Sequence, residues 1–183
     1  MLIGMIGVPG AGKTTLALGL TLELKQRGYP AIYLEEYATR HIIVNNLSKM
    51  NEGNQILIEQ EQYRLETSYN RVDRVVVCDS SLWLNHFHMC KVLKQKDYYA
   101  SNRFFLEQHY DVLFGVIFSP LVEKRGAVGR LEQHQNSQEQ EKMQEELFIM
   151  CAENRISFIP ITANDISSAV SVVEYVMAQQ CSK

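Results

Sequence analysis

The chain has 183 residues, 46% of them hydrophobic, which suits one compact domain that buries a sheet with helices on both faces. A formal net charge of -3 and a pI near 6.0 argue against a protein held to nucleic acid by bulk positive charge, and leave room only for a local basic cleft. Four scattered cysteines (Cys78, Cys90, Cys151 and Cys181) form no C-x-x-C pair, so neither zinc nor a disulfide framework is expected and a reducing cytoplasm is the natural setting.

Met1 to Gly7 is apolar but short and lacks a basic flank, so it reads as a buried strand over Leu2 to Ile6 and not as a signal peptide. No run is long enough to span a bilayer, and no membrane partner is expected. A helix follows from about Lys13 to Arg27, with Leu16, Leu20 and Leu24 on one stripe and Gly28 as its stop. Ala31 to Leu34 makes a second strand that ends at Glu35 and Glu36. Helical patterns cover Tyr37 to Met50 and about Asn54 to Arg71, the second with Ile58, Leu65, Tyr69 and Val72 near one face.

Arg74 to Asp79 is a β-branched third strand of fully buried character. Two short helical pieces are expected between Leu82 and Tyr110. Val112 to Phe118 and Ile156 to Ile161 supply the fourth and fifth strands, and the last helix runs from about Asp165 to Gln180. Its inner stripe is Ile166, Val170, Val173 and Met177. Residues 123–146 break the rhythm: the stretch from Glu132 to Lys142 carries no apolar side chain, so it is either a solvated helix or a mobile flap. The alternation of strands and helices points to an α/β three-layer sandwich with a parallel five-stranded sheet in a single domain; the expected strand order is 2-3-1-4-5.

Gly7 to Thr14 reads Gly-Val-Pro-Gly-Ala-Gly-Lys-Thr and matches G-x-x-x-x-G-K-[ST] at every fixed position, between a buried strand and a helix. Backbone amides of such a loop form a positive nest for phosphate oxygens, and the helix N-terminus adds its partial charge. ATP and Mg2+ are therefore the expected ligands. Gly7, Gly10, Ala11, Gly12, Lys13, Thr14 and Thr15 form the nucleotide site; Lys13 reaches the β- and γ-phosphates and the Thr14 hydroxyl ligates the metal. A chance match in an ordinary strand-to-helix turn does not account for four specified positions in this setting.

Asp79 ends the third strand and is the candidate acid for magnesium, with a helix N-cap as its competing role. Ser80 follows it, where ATPase motors place a glutamate to activate water. No D-x-x-G starts here, because the fourth residue is Leu82, and no N-K-x-D occurs. Hydrolytic machinery is not visible, which leaves a kinase. A kinase needs a base for the acceptor hydroxyl, and Glu35 or Glu36 is placed to supply it. Consecutive strand residues face opposite ways, so only one of them serves; Glu35 is the preferred one.

Glu35 to Arg40, the Gln/Glu-rich stretch at 59–66 and Val77 to Ser81 resemble the ribosylnicotinamide-kinase and thymidylate-kinase-like branch of P-loop nucleoside and nucleotide kinases. The likeness runs along most of the chain, and only the phosphate loop is sharply specific. It implies that Arg40 contacts the acceptor, and that a lid over 119–142 carries the catalytic cations Arg125 and Arg130. It also implies an acceptor that is a nucleoside, a nucleotide or a modified base in DNA, since the branch includes phage enzymes that phosphorylate 5-hydroxymethyluracil within DNA. The chain departs from the D/E-R-S motif of deoxynucleoside kinases, reading Asp79-Ser80-Ser81, which weakens a free-deoxynucleoside assignment. A P-loop ATPase or switch module without an acceptor is the alternative from another class.

Trp83 and the aromatics Tyr98, Tyr99, Phe104 and Phe105 lie where an acceptor pocket would form, with Trp83 the substrate-binding candidate; one of them could stack on a base, while core packing accounts better for most of them. His86, His88 and Cys90 would share a face only on a strand, and this segment reads as helical, so no metal site is assigned to them. Lys91, Lys94, Lys96 and Arg103 fit either a polyanion path or a solvated helix face. The sequence leaves the oligomeric state open.

Overall fold

The computed structural model describes residues 1–45, 52–69, 73–93, 110–119 and 137–181. Five strands, β1 (Leu2–Ile6), β2 (Ala31–Leu34), β3 (Val75–Cys78), β4 (Val112–Val116) and β5 (Ile159–Ile161), form one sheet in the order β2-β3-β1-β4-β5. Every pairing is parallel, with Leu2 opposite Val76, Ile3 opposite Val112 and Leu34 opposite Cys78. The order is the one expected from the sequence. Among the described residues six helices connect or flank the strands: α1 (Lys13–Gln26), α2 (Tyr37–Asn45), α3 (Glu52–Tyr69), α4 (Leu82–Leu93), α5 (Ser137–Glu153) and α6 (Ile166–Cys181).

Period-2 alternation divides the strand side chains between two faces. Ile3, Met5, Val75, Val77 and Phe114 pack with Leu16, Leu20 and Leu24 of α1 and Val170 and Val173 of α6. On the other face Ile6 and Leu113 meet Leu82, Trp83, Leu84 and Phe87 of α4 and Leu147 and Cys151 of α5. Leu16, Leu20 and Leu24 are each fully buried, and each contributes about 2 kcal/mol by removal from water. The expected inner stripe of α6 is also present, with Val170 and Val173 buried and Ile166 and Met177 packed at its edge.

Three strands are shorter than the apolar runs suggest. β3 occupies only the middle of Arg74 to Asp79. β4 ends at Val116, and beyond it the Phe118 amide donates to Gln144 Oε1 at 2.6 Å, so α5 takes over from the ladder. β5 begins at Ile159, because Ile156 belongs to the end of α5. The Ile156 amide donates to Cys151 O at 2.8 Å and the Arg155 amide to Ala152 O, with Arg155 left-handed at φ 55°: a Schellman closure. Pro160, which has no N–H to give, is accommodated because β5 is an edge strand.

Leu82 to Leu93 is one continuous helix; residues 94–109, the rest of the span in which two short helical pieces were expected, lie outside the described ones. One helical expectation is corrected. The inner face of α3 is largely polar: Gln55, Gln62 and Glu66 are buried beside Ile58, while Tyr69, expected inside, is 40% exposed and Val72 lies outside the described residues. Buried polar groups persist only when bonded, and these are. Gln62 Nε2 donates to Glu66 Oε1 at 2.8 Å, and Tyr110 Oη donates to Glu66 Oε2 at 2.7 Å. Gln62 Oε1 accepts the Tyr37 amide at 3.0 Å and Tyr110 Oη accepts the Leu82 amide at 2.7 Å. One buried carboxylate thus ties down the first residues of both α2 and α4, the helices that follow Glu36 and Asp79.

Candidate nucleotide and acceptor site

The loop Gly7 to Thr14 leaves the carboxyl end of β1 and opens α1, as the motif requires. Val8 to Ala11 closes into a turn, the Ala11 amide donating to Val8 O at 3.1 Å, with Gly10 at φ 83°. Gly12, at φ 93°, caps α1 with no side-chain hydrogen bond, so the first-turn amides keep free donors for an anion. A side chain at Gly12 would run into Ala163, so the loop also packs closely on the segment after β5. Lys13 Nζ donates to Gly7 O at 3.1 Å and to Val8 O at 3.4 Å, which sets the ammonium over its own loop. Thr14 and Thr15 are exposed at the helix start.

Asp79, at the carboxyl end of β3, is brought to this loop. Its Oδ2 accepts Thr14 Oγ1–H at 2.7 Å and Tyr33 Oη–H at 2.9 Å. Burial raises its carboxyl above the ordinary value; the bonds from Thr14 and Tyr33 and the charge of Lys13 oppose this, and Glu36 adds to it. Burial likewise pushes the Tyr33 hydroxyl up, with the charge of Asp79 second, so Tyr33 is a donor throughout the working pH range. Asp79 Oδ1 is buried with no protein partner among the described residues. A carboxylate oxygen left open beside a loop threonine hydroxyl is the hard-oxygen donor set that suits Mg2+, so Thr14 and Asp79 fit the metal.

Glu35 and Glu36 do not lie as the alternation argument expects. β2 ends at Leu34 and the chain turns into α2 at Tyr37, so strand alternation does not extend through the two acids. Glu35 is exposed, and its charge acts on Tyr33. Glu36 is half-buried, accepts Thr39 Oγ1–H at 2.8 Å, and its charge acts on both Asp79 and His88. Both charges act on Tyr33, and that of Glu36 also on Asp79.

The other expected site residues divide. Arg40 is on α2 and exposed. Trp83 is corrected from a substrate-binding candidate to a core residue, 2% exposed and clustered with Ile6, Leu113 and Leu147. Arg125 and Arg130 lie outside the described residues, as do Lys94, Lys96, Tyr98, Tyr99, Arg103, Phe104 and Phe105. Most of the expected lid is outside them too, and its last residues, 137–142, are the start of α5. Lys91 pairs with Glu146 at 2.6 Å instead of lining an anion path. His86 and Cys90, one helical turn apart on α4, contact each other at 3.3 Å.

Three residues near the site were not singled out for it from the sequence. Tyr33 bonds the metal-site carboxylate. His88, also on α4, is held down to about 4 by burial and by the charges of Lys13 and Lys91 against the pull of Glu36, so it is neutral at physiological pH. Gln140 of α5 donates from Nε2 to Pro9 O at 3.0 Å. Only Tyr33, two residues before Glu35 on a strand ending at the phosphate edge, left a positional signal.

A family model described as an AAA domain matches residues 2–168. No curated protein sequence matches the chain. Among solved structures it resembles NadR protein in complex with NR (TM-score 0.69, 16% identity), covering 96% of this chain and 51% of that one. The chain therefore spans about half the length of that structure. It resembles deoxyadenosine kinase from M. mycoides with bound dCTP (TM-score 0.63, 16% identity; 98% and 100% covered). Shikimate kinase from Acinetobacter baumannii in complex with shikimate is similar at TM-score 0.52 and 15% identity, with 97% and 93% covered. At these identities the likeness establishes the fold alone, the five-stranded parallel sheet with flanking helices that was expected from the sequence. Among the described residues no helix is long and apolar enough to cross a membrane.

Proposed function

The chain belongs to the AAA domain family, and from that premise we propose that it is an ATP-dependent kinase that transfers the γ-phosphoryl group to a hydroxyl of a nucleoside- or nucleotide-type acceptor. The observation that carries this reading is the Thr14–Asp79 pair at 2.7 Å: a loop hydroxyl bonded to a strand-end carboxylate whose other oxygen is buried and open. In P-loop enzymes that arrangement accompanies bound nucleoside triphosphate.

The roles follow from position. The free amides of the loop and of the first turn of α1 bind phosphate oxygens, and Lys13 neutralises the charge that spreads over the phosphoryl group in flight. Thr14 and Asp79 would hold Mg2+, which would supply positive charge to offset that of the phosphates. Tyr33 keeps the carboxylate of Asp79 oriented. Glu36 accepts the proton of the acceptor hydroxyl, and its link through Tyr37, Gln62 and Glu66 to Tyr110 holds the start of α2 in place. Ser80 after Asp79 and the absence of D-x-x-G favour transfer to an acceptor over hydrolysis. The names of two structural neighbours, a deoxyadenosine kinase and a shikimate kinase, agree with phosphoryl transfer to small hydroxyl compounds.

The test is transfer of labelled γ-phosphate from ATP to a panel of nucleosides, nucleotides and DNA carrying hydroxymethylated bases. Label in a free nucleoside or nucleotide is the expected result. Label only in DNA would move the acceptor to the polymer, and label only in inorganic phosphate would replace the kinase by an ATPase.

A further inference from the structure

Gln140 contacts the phosphate loop from far along the chain. The residue is 6% exposed on α5 and donates from Nε2 to Pro9 O, 131 positions away. A carbonyl oxygen only accepts, so the orientation of the amide is fixed with its nitrogen toward the loop. Its Oε1 is buried without a protein partner among the described residues. α5 is itself held: Gln144, one turn on, accepts the Phe118 amide, and Leu147 and Cys151 are fully buried. Gln140 is therefore presented by an element with little freedom to move.

What Pro9 O does in the loop makes this contact consequential. Val8 to Ala11 is a turn with the Ala11 amide on Val8 O, Pro9 in its second position and Gly10 at φ 83° in its third. Proline holds φ near -65°, so the turn is type II. The described residues contain no cis peptide, and in a trans peptide the C=O and N–H point in opposite directions. Fixing Pro9 O toward α5 turns the Gly10 N–H to the opposite side, where the loop encloses phosphate. The alternative type I turn reverses that plane and would set a carbonyl oxygen against phosphate oxygens.

We infer that Gln140 is a positioning residue for nucleotide binding: its bond to Pro9 O selects the turn in which the Gly10 amide faces the phosphates. The inference rests on reading Gly7 to Thr14 as the ATP site. It makes ATP affinity depend on a side chain that touches no part of ATP.

The experiment measures Mg2+·ATP binding without acceptor for wild type, Gln140→Leu, Gln140→Glu, Gln144→Leu and Lys13→Ala, with thermal melting of each. It also follows the Gly10 amide resonance of the wild type during ATP titration. Gln140→Leu is expected to weaken ATP about tenfold through the lost bond. Gln140→Glu, which sets a carboxylate oxygen against a carbonyl, should weaken it further. Gln144→Leu lowers the melting temperature and should weaken ATP less than Gln140→Leu does, since its partner is Phe118 and not the loop. The Gly10 amide should shift on ATP addition, a readout that holds even if a variant does not fold. Folded Gln140 variants with wild-type affinity, an equal loss in Gln144→Leu, or a Gly10 amide indifferent to ATP would overturn the inference. Wild-type affinity in Lys13→Ala would overturn the reading of the loop itself, and this inference with it.

Discussion

Replacing Asp79 by Asn separates what the carboxylate does for folding from what it does for the nucleotide. The side chain is 5% exposed, and burial dominates the upward displacement of its pKa over the bonds from Thr14 and Tyr33. A carboxyl whose folded value lies above the unfolded 3.8 adds stability below that value and loses it as pH rises through the folded one. At neutral pH the ionised group therefore costs stability, and Asn removes that cost. Against this, two charge-assisted hydrogen bonds fall from about 2 to about 1 kcal/mol each as the acceptor becomes neutral. The terms offset, so the variant should be within about 1 kcal/mol of wild type, a change of several degrees in melting temperature. Phosphoryl transfer should drop about a thousandfold, close to 4 kcal/mol of activation free energy, with the Mg2+ requirement moved to higher concentration. Thermal melts at pH 5 and pH 7 and a Mg2+ titration of initial rates read both parts. A variant destabilised by more than about 3 kcal/mol that still turns over normally would refute the reasoning, because Asp79 would then be a structural cap.

Glu36→Gln should lower transfer about a hundredfold, whereas Glu35→Gln should stay within about threefold; equal effects in steady-state rates would undo the choice between them. His88 has a depressed folded value, so its contribution to stability is complete above its ordinary 6.5 and is lost as pH falls through about 4. His88→Gln should flatten the fall of the urea midpoint across that window, and an unchanged profile would mean the imidazole is not buried against Lys13. Tyr110→Phe removes the acceptor of the Leu82 amide and a donor to Glu66, and should cost about 2 kcal/mol in urea unfolding. A neutral result would show that the buried network does not hold the helix starts.

The sheet was legible because its inner strands β1, β3 and β4 are apolar runs buried on both faces, and the expected strand order is the observed one. Strand ends were less so. The Gln144 bond that replaces the ladder at Phe118 and the helix closure that captures Ile156 are long-range or conformational facts that hydropathy does not carry. α3 was misread for a related reason: an apolar stripe was sought, while its buried face holds Gln55, Gln62 and Glu66, made tolerable by Tyr110 more than forty positions away. Within the site, the loop and Asp79 were readable since their chemistry is local to a motif. Glu36 was not separable from Glu35, because the strand stops one residue before them. Trp83 was misplaced as an acceptor-binding residue because its aromatic type fits a core equally well. Gln140 left no trace, since one of three glutamines in a polar helix resembles a solvated one.

The central claim is that the loop Gly7 to Thr14 delivers phosphate to an acceptor. It is tested most directly by the fate of labelled γ-phosphate from ATP, recovered either in an organic acceptor or as inorganic phosphate, for wild type and Lys13→Ala. Wild type should place most of the label in an acceptor hydroxyl, and Lys13→Ala should lose about a thousandfold or more of that transfer while melting like wild type. Label released only as inorganic phosphate, or transfer undiminished in folded Lys13→Ala, would contradict it.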